Sequence, residues 1–232
     1  MRCLGTVILL GLLATTAAHA ADEDLSCRNG GFPSEEKTLG LAKVEGADRL
    51  NFLTDTDGCP GEDVHCRQRA YVVGGDVLLT GRGHGPYVCA FFPNRGGGSA
   101  GWVRRDRLAP LPVAASPPLM DWVGHWANGD DTIDLTAKGG ALVAAGDAYW
   151  PSANPPLSER PGGPNIGELT GTARPKGAQV VFADADPQGC VANLTLVGSL
   201  LVVGDNNACG GMNVSFSGVY RRKTPTSAPS RR

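Results

Sequence analysis

From Arg49 onward the chain alternates apolar and polar positions in short runs, the pattern of strands with one buried face. Leu50, Phe52 and Thr54 alternate with Asn51, Leu53 and Asp55, and Thr56-Asp57-Gly58 turns the chain. Residues 69–80 predict two apolar strands broken by Gly74-Gly75-Asp76. A glycine-rich turn over 81–85 leads to a strand over 87–92, then a loop over 94–99. Residues 100–103 resume the sheet, and 104–108 make one tight turn that returns Leu108 to the core. Residues 21–47 carry a weaker pattern, with 37–44 fitting either one helical turn or a first strand.

Residues 109–119 (APLPVAASPPL) hold four prolines and no charge, which predicts a stiff, extended linker. Beyond it, strand patterns resume at 121–126 and 132–135, with a hairpin turn at Lys138-Gly139-Gly140 and a strand over 141–150. Five prolines in 151–164 predict an irregular loop. Further strands are expected at 167–172, 179–183, 190–197, 200–203 and 213–220, with a tight hairpin at Gly198-Ser199. The fold class read from this pattern is all-β in two small domains. The first spans 21–108; the second, 120–222, is expected to be an antiparallel barrel of about seven or eight strands, whose closure removes open edges. Residues 223–232 read as a disordered polar tail.

Composition agrees: 33 glycines and 17 prolines suit many turns, and aromatic content is only 6%. A net charge of −2 gives no field for nucleic acid. Residues 1–20 read as a cleavable signal: Arg2, an apolar run over 7–13, then Ala18-His19-Ala20 before Ala21. That run is too short to span a bilayer, which takes about 20 residues. The expectation is export to the periplasm or beyond, with no integral membrane segment after cleavage.

Setting Cys3 aside with the signal, six of the seven cysteines remain, an even number that reads as disulfides in an exported chain. No pair is spaced Cys-x-x-Cys and the histidines are scattered, so no metal is expected. A hairpin centred at Gly198-Ser199 brings Cys190 within two residues of the position opposite Cys209. Cys59 pairs with Cys66 across a short loop, which leaves Cys27 with Cys89 by elimination.

The ordered set Ala70-Tyr71-Val72-Val73, Gly75-Asp76-Val77-Leu78-Leu79, Tyr87-Val88-Cys89-Ala90, Gly101-Trp102-Val103 and a closing Leu108 resembles the bacterial Src-homology-3-type domain over about residues 49–111. The resemblance implies a small barrel that contacts peptide or cell-wall glycopeptide. The loop from Cys59 to Cys66 is extra to the usual pattern and lies where that fold often meets ligands. Tyr71, Tyr87, Trp102 and His65 are the contact residues expected on this basis; Tyr71 and Trp102 equally fit a small barrel's core. Gly124-His125-Trp126 resembles the Gly-x-Trp of lipocalin-like (calycin-like) barrels, where a last-strand arginine stacks across the tryptophan. It implies a plug of Trp126 with Arg221, or with Arg222, while Trp126 as plain core fits equally. The run 205–220, with Cys209-Gly210-Gly211 and Phe216-Ser217-Gly218-Val219-Tyr220, is similar to the endings of a group of exported proteobacterial proteins, a likeness that carries no function. Asn206, Asn207 and Asn213 in it supply turn conformations, or hydrogen bonds to a sugar or peptide.

No Gly-x-Ser-x-Gly nucleophile turn, His-Glu-x-x-His or phosphate loop is expected, and oxidised cysteines leave no thiolate nucleophile. An enzyme is therefore not expected, nor any cofactor. Three readings stand: a binding protein for cell-wall peptide or glycan, or for a periplasmic protein, through the first domain; a small-ligand carrier using the second; and an inhibitor of a wall-degrading enzyme such as lysozyme, using the turn at 206–213.

Overall fold

The computed structural model describes residues 26–94 and 97–223, and the alternating runs in them form two antiparallel sheets. The expected signal and all but Lys223 of the expected tail lie outside the described residues. After a helical turn, α1 (Phe32–Glu35), the first sheet is built from β1 (Gly40–Val44), β2 (Leu50–Leu53), β3 (Arg67–Val72), β4 (Val77–His84), β5 (Tyr87–Phe92), β6 (Ser99–Arg104) and β7 (Leu108–Leu111). Their order is β3-β2-β6-β5-β4-β1-β7. The segment 37–44, open between two readings, contributes the strand β1.

Two departures in this sheet have physical causes. The expected turn at 81–85 is shorter: residues 81–84 end β4, with an irregular register between Thr80 and Gly83, and the chain turns at Gly85-Pro86. A Cβ at Gly81 would collide with the Glu36 carboxylate, so this glycine admits a close approach rather than a turn. The expected linker starts late, because residues 109–111 pair with β1 in register Ala109 to Lys43 and Leu111 to Leu41. Pro110 is tolerated there because β7 is an edge strand, where a missing N–H costs no ladder bond.

After α2 (Leu119–Trp122), the second sheet runs β8 (Gly124–Asn128), β9 (Asp131–Lys138), β10 (Ala141–Trp150), β11 (Asn165–Ala173), β12 (Gln179–Ala183), β13 (Val191–Val197), β14 (Leu200–Asp205) and β15 (Gly218–Arg222). These eight antiparallel strands, ordered β11-β10-β9-β8-β15-β14-β13-β12, curl until β11 and β12 approach across the seam, a nearly closed barrel. Every strand sends alternate residues inward: Trp126, Ile133, Leu142, Leu169, Phe182, Leu194, Leu201 and Tyr220 meet in one buried cluster, joined by Phe216 from the preceding loop. The expected strand over 213–220 is a strand only from Gly218; residues 213–217 are a loop fastened to Asp205.

The first sheet buries both faces. Leu50, Phe52, Val72, Leu78, Val88 and Val103 form its inner core. Leu79, Cys89, Phe91 and Trp102 point the other way, into a cluster with Cys27 and Phe32 from the N-terminal arm and Val197, Val202 and Val219 from the outside of the barrel. Burying each such valine is worth roughly 1.5–3 kcal/mol. The arm is stapled by Cys27–Cys89, the pair left by elimination, and Cys59–Cys66 and Cys190–Cys209 complete three disulfides in the pairs that spacing had indicated. Disulfides of this kind persist in oxidising compartments outside the cytoplasm. No helix among the described residues is long and apolar enough to cross a membrane.

Candidate functional site

On the first sheet, β2, β3, the end of β6 and the Cys59–Cys66 loop enclose a cleft of about 350 Å³. Its lining includes Arg49, Asn51, Arg67, Arg104, Glu62 and Tyr87. The disulfide holds the loop against the sheet, and the Thr54 amide donates to the Cys66 carbonyl at 2.8 Å. Arg104 donates to Asp106 through Nη2 (2.6 Å) and Nε (3.1 Å), and through Nη1 to Glu62 on the loop at 2.7 Å. The hydrogen bond from Arg104 holds the Asp106 carboxyl below its usual range. The Arg49 guanidinium lies 4.4 Å from the centre of the exposed Tyr71 ring. Arg67 is exposed, and its guanidinium has no hydrogen bond or ion pair among the described residues. Asn51 is oriented by donating to the Gln68 carbonyl at 3.1 Å. Three arginines thus line one space, and the carboxylate in its lining, Glu62, is already bound to Arg104.

The expected contact residues divide. Tyr71 is exposed, but its ring is covered by Arg49. Tyr87 is buried, with only an edge at the cleft. Trp102, 1% exposed, faces the cluster between the sheets and offers no surface to a ligand. His65 is exposed on the loop, its Nε2 3.6 Å from Cys66 Sγ. Cys59, His65 and Cys66 sit close enough to suggest a metal, yet the two sulfurs are bonded to each other and are not thiolates.

Asn206 serves the turn. Its Oδ1 accepts from the Val191 and Ala208 amides, and its Nδ2 donates to the Gly189 carbonyl at 2.9 Å. Asn207 and Asn213 adopt positive φ, 57° and 65°, the conformation asparagine tolerates best after glycine. At the barrel end, Arg222 lies 4.7 Å from the Trp126 ring centre and also binds the Asp121 carbonyl. Of the two arginines expected as plug partner, Arg222 thus takes the place, and Arg221 donates to the Pro93 carbonyl. The reason is alternation: Arg222 shares the inward side of β15 with Tyr220, whereas Arg221 shares the outward side with Val219.

Two further features depart from expectation, the first correcting the expected absence of a Gly-x-Ser-x-Gly run. Gly97-Gly98-Ser99-Ala100-Gly101 spells Gly-x-Ser-x-Gly, but this run opens a strand rather than joining a strand to a helix. Ser99 pairs with Phe92 at one end of β5 and takes a 3.2 Å bond from Asn94, while His84 pairs with Tyr87 at the other end. At the barrel end, burial raises the Asp131 carboxyl to about 6, with Asp130 adding to the shift and the Tyr149 amide, 2.9 Å away, opposing it. Burial likewise pushes the Tyr220 phenol up; its hydroxyl donates to the Phe216 carbonyl at 2.9 Å.

The chain matches no protein-family model, no curated protein and no solved structure. The site therefore has to be read from its own chemistry. The arginine-lined cleft has the residues to hold an anionic or hydrogen-bonding ligand.

Proposed function

We propose that this chain is an exported, non-catalytic binding protein of the periplasm or the exterior, whose Src-homology-3-type first unit contacts peptide or cell-wall glycopeptide through the arginine-lined cleft. The observation that carries the reading is that cleft: a concave site on a rigid sheet, walled by a disulfide-fixed loop, with Arg67 unengaged among the described residues. The three disulfides support export. Aromatic stacking plays a small part in this reading, because Trp102 is core and Arg49 already lies over the Tyr71 ring. The carrier alternative gains no support, since Trp126, Phe182, Phe216 and Tyr220 fill the barrel. The test is sedimentation of the purified chain with insoluble peptidoglycan. Recovery in the pellet, saturating with added protein, is the expected result; a chain that stays in the supernatant removes the reading.

One observation favours the inhibitor reading as a second choice. Met212 is 78% exposed beside exposed Ile166 and Trp150 at one barrel end, where Asn165 Nδ2 donates to the Met212 carbonyl. Lysozyme turnover measured with and without the chain decides it, and an unchanged rate ends that reading.

A further inference from the structure

The cleft differs in charge from a surface built to stack on apolar rings. Its cations come from three separate segments: Arg49 ahead of β2, Arg67 at the start of β3 and Arg104 at the end of β6. Two of the three already have company. Arg104 is neutralised by Asp106 and Glu62, and Arg49 is laid over Tyr71. Arg67 is the exception, an exposed guanidinium without an ion pair among the described residues. Its planar fork of donors matches the two oxygens of a carboxylate. Asn51 lies beside it, one side-chain oxygen left over from its bond to Gln68, and suits a peptide N–H.

Taking the cleft as the ligand site, we propose that its ligand is an acidic peptide, anchored by a carboxylate on Arg67 with Arg49 beside it. A peptide is favoured over a polyanionic glycan for two reasons. The cleft is small, near the lower end of the roughly 300–1,000 Å³ typical of small-ligand sites, and so takes a short segment. Its loop wall also carries Glu62 and Asp63, which would repel a long chain of like charges laid across it.

The experiment compares native peptidoglycan, whose stem peptides carry free carboxylates, with the same material after carbodiimide-driven amidation. Heparin-agarose serves as the polyanion arm. Wild-type chain and the variants Arg67→Gln and Arg69→Gln are each checked for an unchanged melting temperature. Arg69 is exposed on the same strand but does not line the cleft. The expected result is retention on native wall that falls about tenfold or more on amidation and with Arg67→Gln, but not with Arg69→Gln. Equal retention before and after amidation, or wild-type retention by Arg67→Gln, overturns the carboxylate anchor and leaves wall binding intact. Stronger retention on heparin than on wall, lost equally in both variants, overturns it in favour of a polyanion. A chain that binds neither form of wall overturns both this inference and the function it rests on.

Discussion

Asp131 is a carboxyl kept in an unfavourable place. Burial raises it from the usual 3.8 to about 6, against the pull of the Tyr149 amide. In the unfolded chain the group ionises near 3.8, so between there and about 6 the folded state holds a proton that the unfolded state has lost. Stability from this group is therefore fully present below the unfolded value and is lost as pH rises through about 6. Asp131→Asn keeps an oxygen for the Tyr149 amide and cannot ionise. It should be more stable than the native chain at neutral and alkaline pH, by on the order of 1–2 kcal/mol once solvent screening of this partly exposed group is allowed for, and nearly equal at acid pH. Melting curves across pH test this, and a constant difference at every pH would sink it. Asp55 works in the opposite sense. Burial would raise it, but Arg28 at 2.7 Å and the Cys27 amide at 3.0 Å hold it below its usual value.

At the scale of elements, the loop that ends in β15 shows what alternation along a chain does and does not determine. Val214 and Phe216 face inward and Ser215 and Ser217 do not, which is the pattern of a strand. The polar half of the pattern is consumed by a single residue ten positions upstream. Asp205 accepts from Ser215 Oγ (2.8 Å), Ser217 Oγ (2.9 Å) and the Phe216 amide (2.7 Å), so the segment is anchored without a partner strand. Asp205→Ala should cost on the order of 2–4 kcal/mol, since the Phe216 amide and both hydroxyls lose a charged acceptor. Chemical denaturation measures it, and a loss under 1 kcal/mol would mean that the loop is held by Phe216 packing alone. Where strands pair simply, sequence was enough: 87–92, 141–150 and 179–183 coincide with β5, β10 and β12 end to end. The hairpin at Gly198-Ser199 is also where the pattern put it, with Val197 opposite Leu200. The cleft was not legible, because Arg49, Arg67 and Arg104 come from three segments and only the register of β2, β3 and β6 unites them.

For the whole molecule, the shared cluster is decisive. Val197, Val202 and Val219 leave the barrel's outer face to pack with Phe32, Leu79 and Phe91, which are beyond the linker in sequence. A signal for this was present in Leu200-Leu201-Val202-Val203, a run apolar on both sides, as strands covered on both faces are. Its meaning depended on a partner surface that a linear pattern does not specify. Because neither sheet can leave without exposing this cluster, the two should unfold together. Calorimetry should give one transition with equal calorimetric and van't Hoff enthalpies, and Val202→Ala should lower its midpoint without splitting it. Two separate transitions in the native chain would contradict the shared core.

In each sheet the earliest strand pairs with the latest, at the edge of the first sheet and in the middle of the second. β1 lies between β4 and β7, and β8 lies against β15. Remove β15 and the second sheet falls into two unconnected pieces, β11 to β8 and β14 to β12. A nascent chain emerging from its N-terminus therefore holds neither pairing until the closing strand has appeared, and the final one waits for residues 218–222. Assembly of the second sheet is timed by β15. A threadlike chain passing through a narrow channel would hold that sheet open until residues 218–222 had come through.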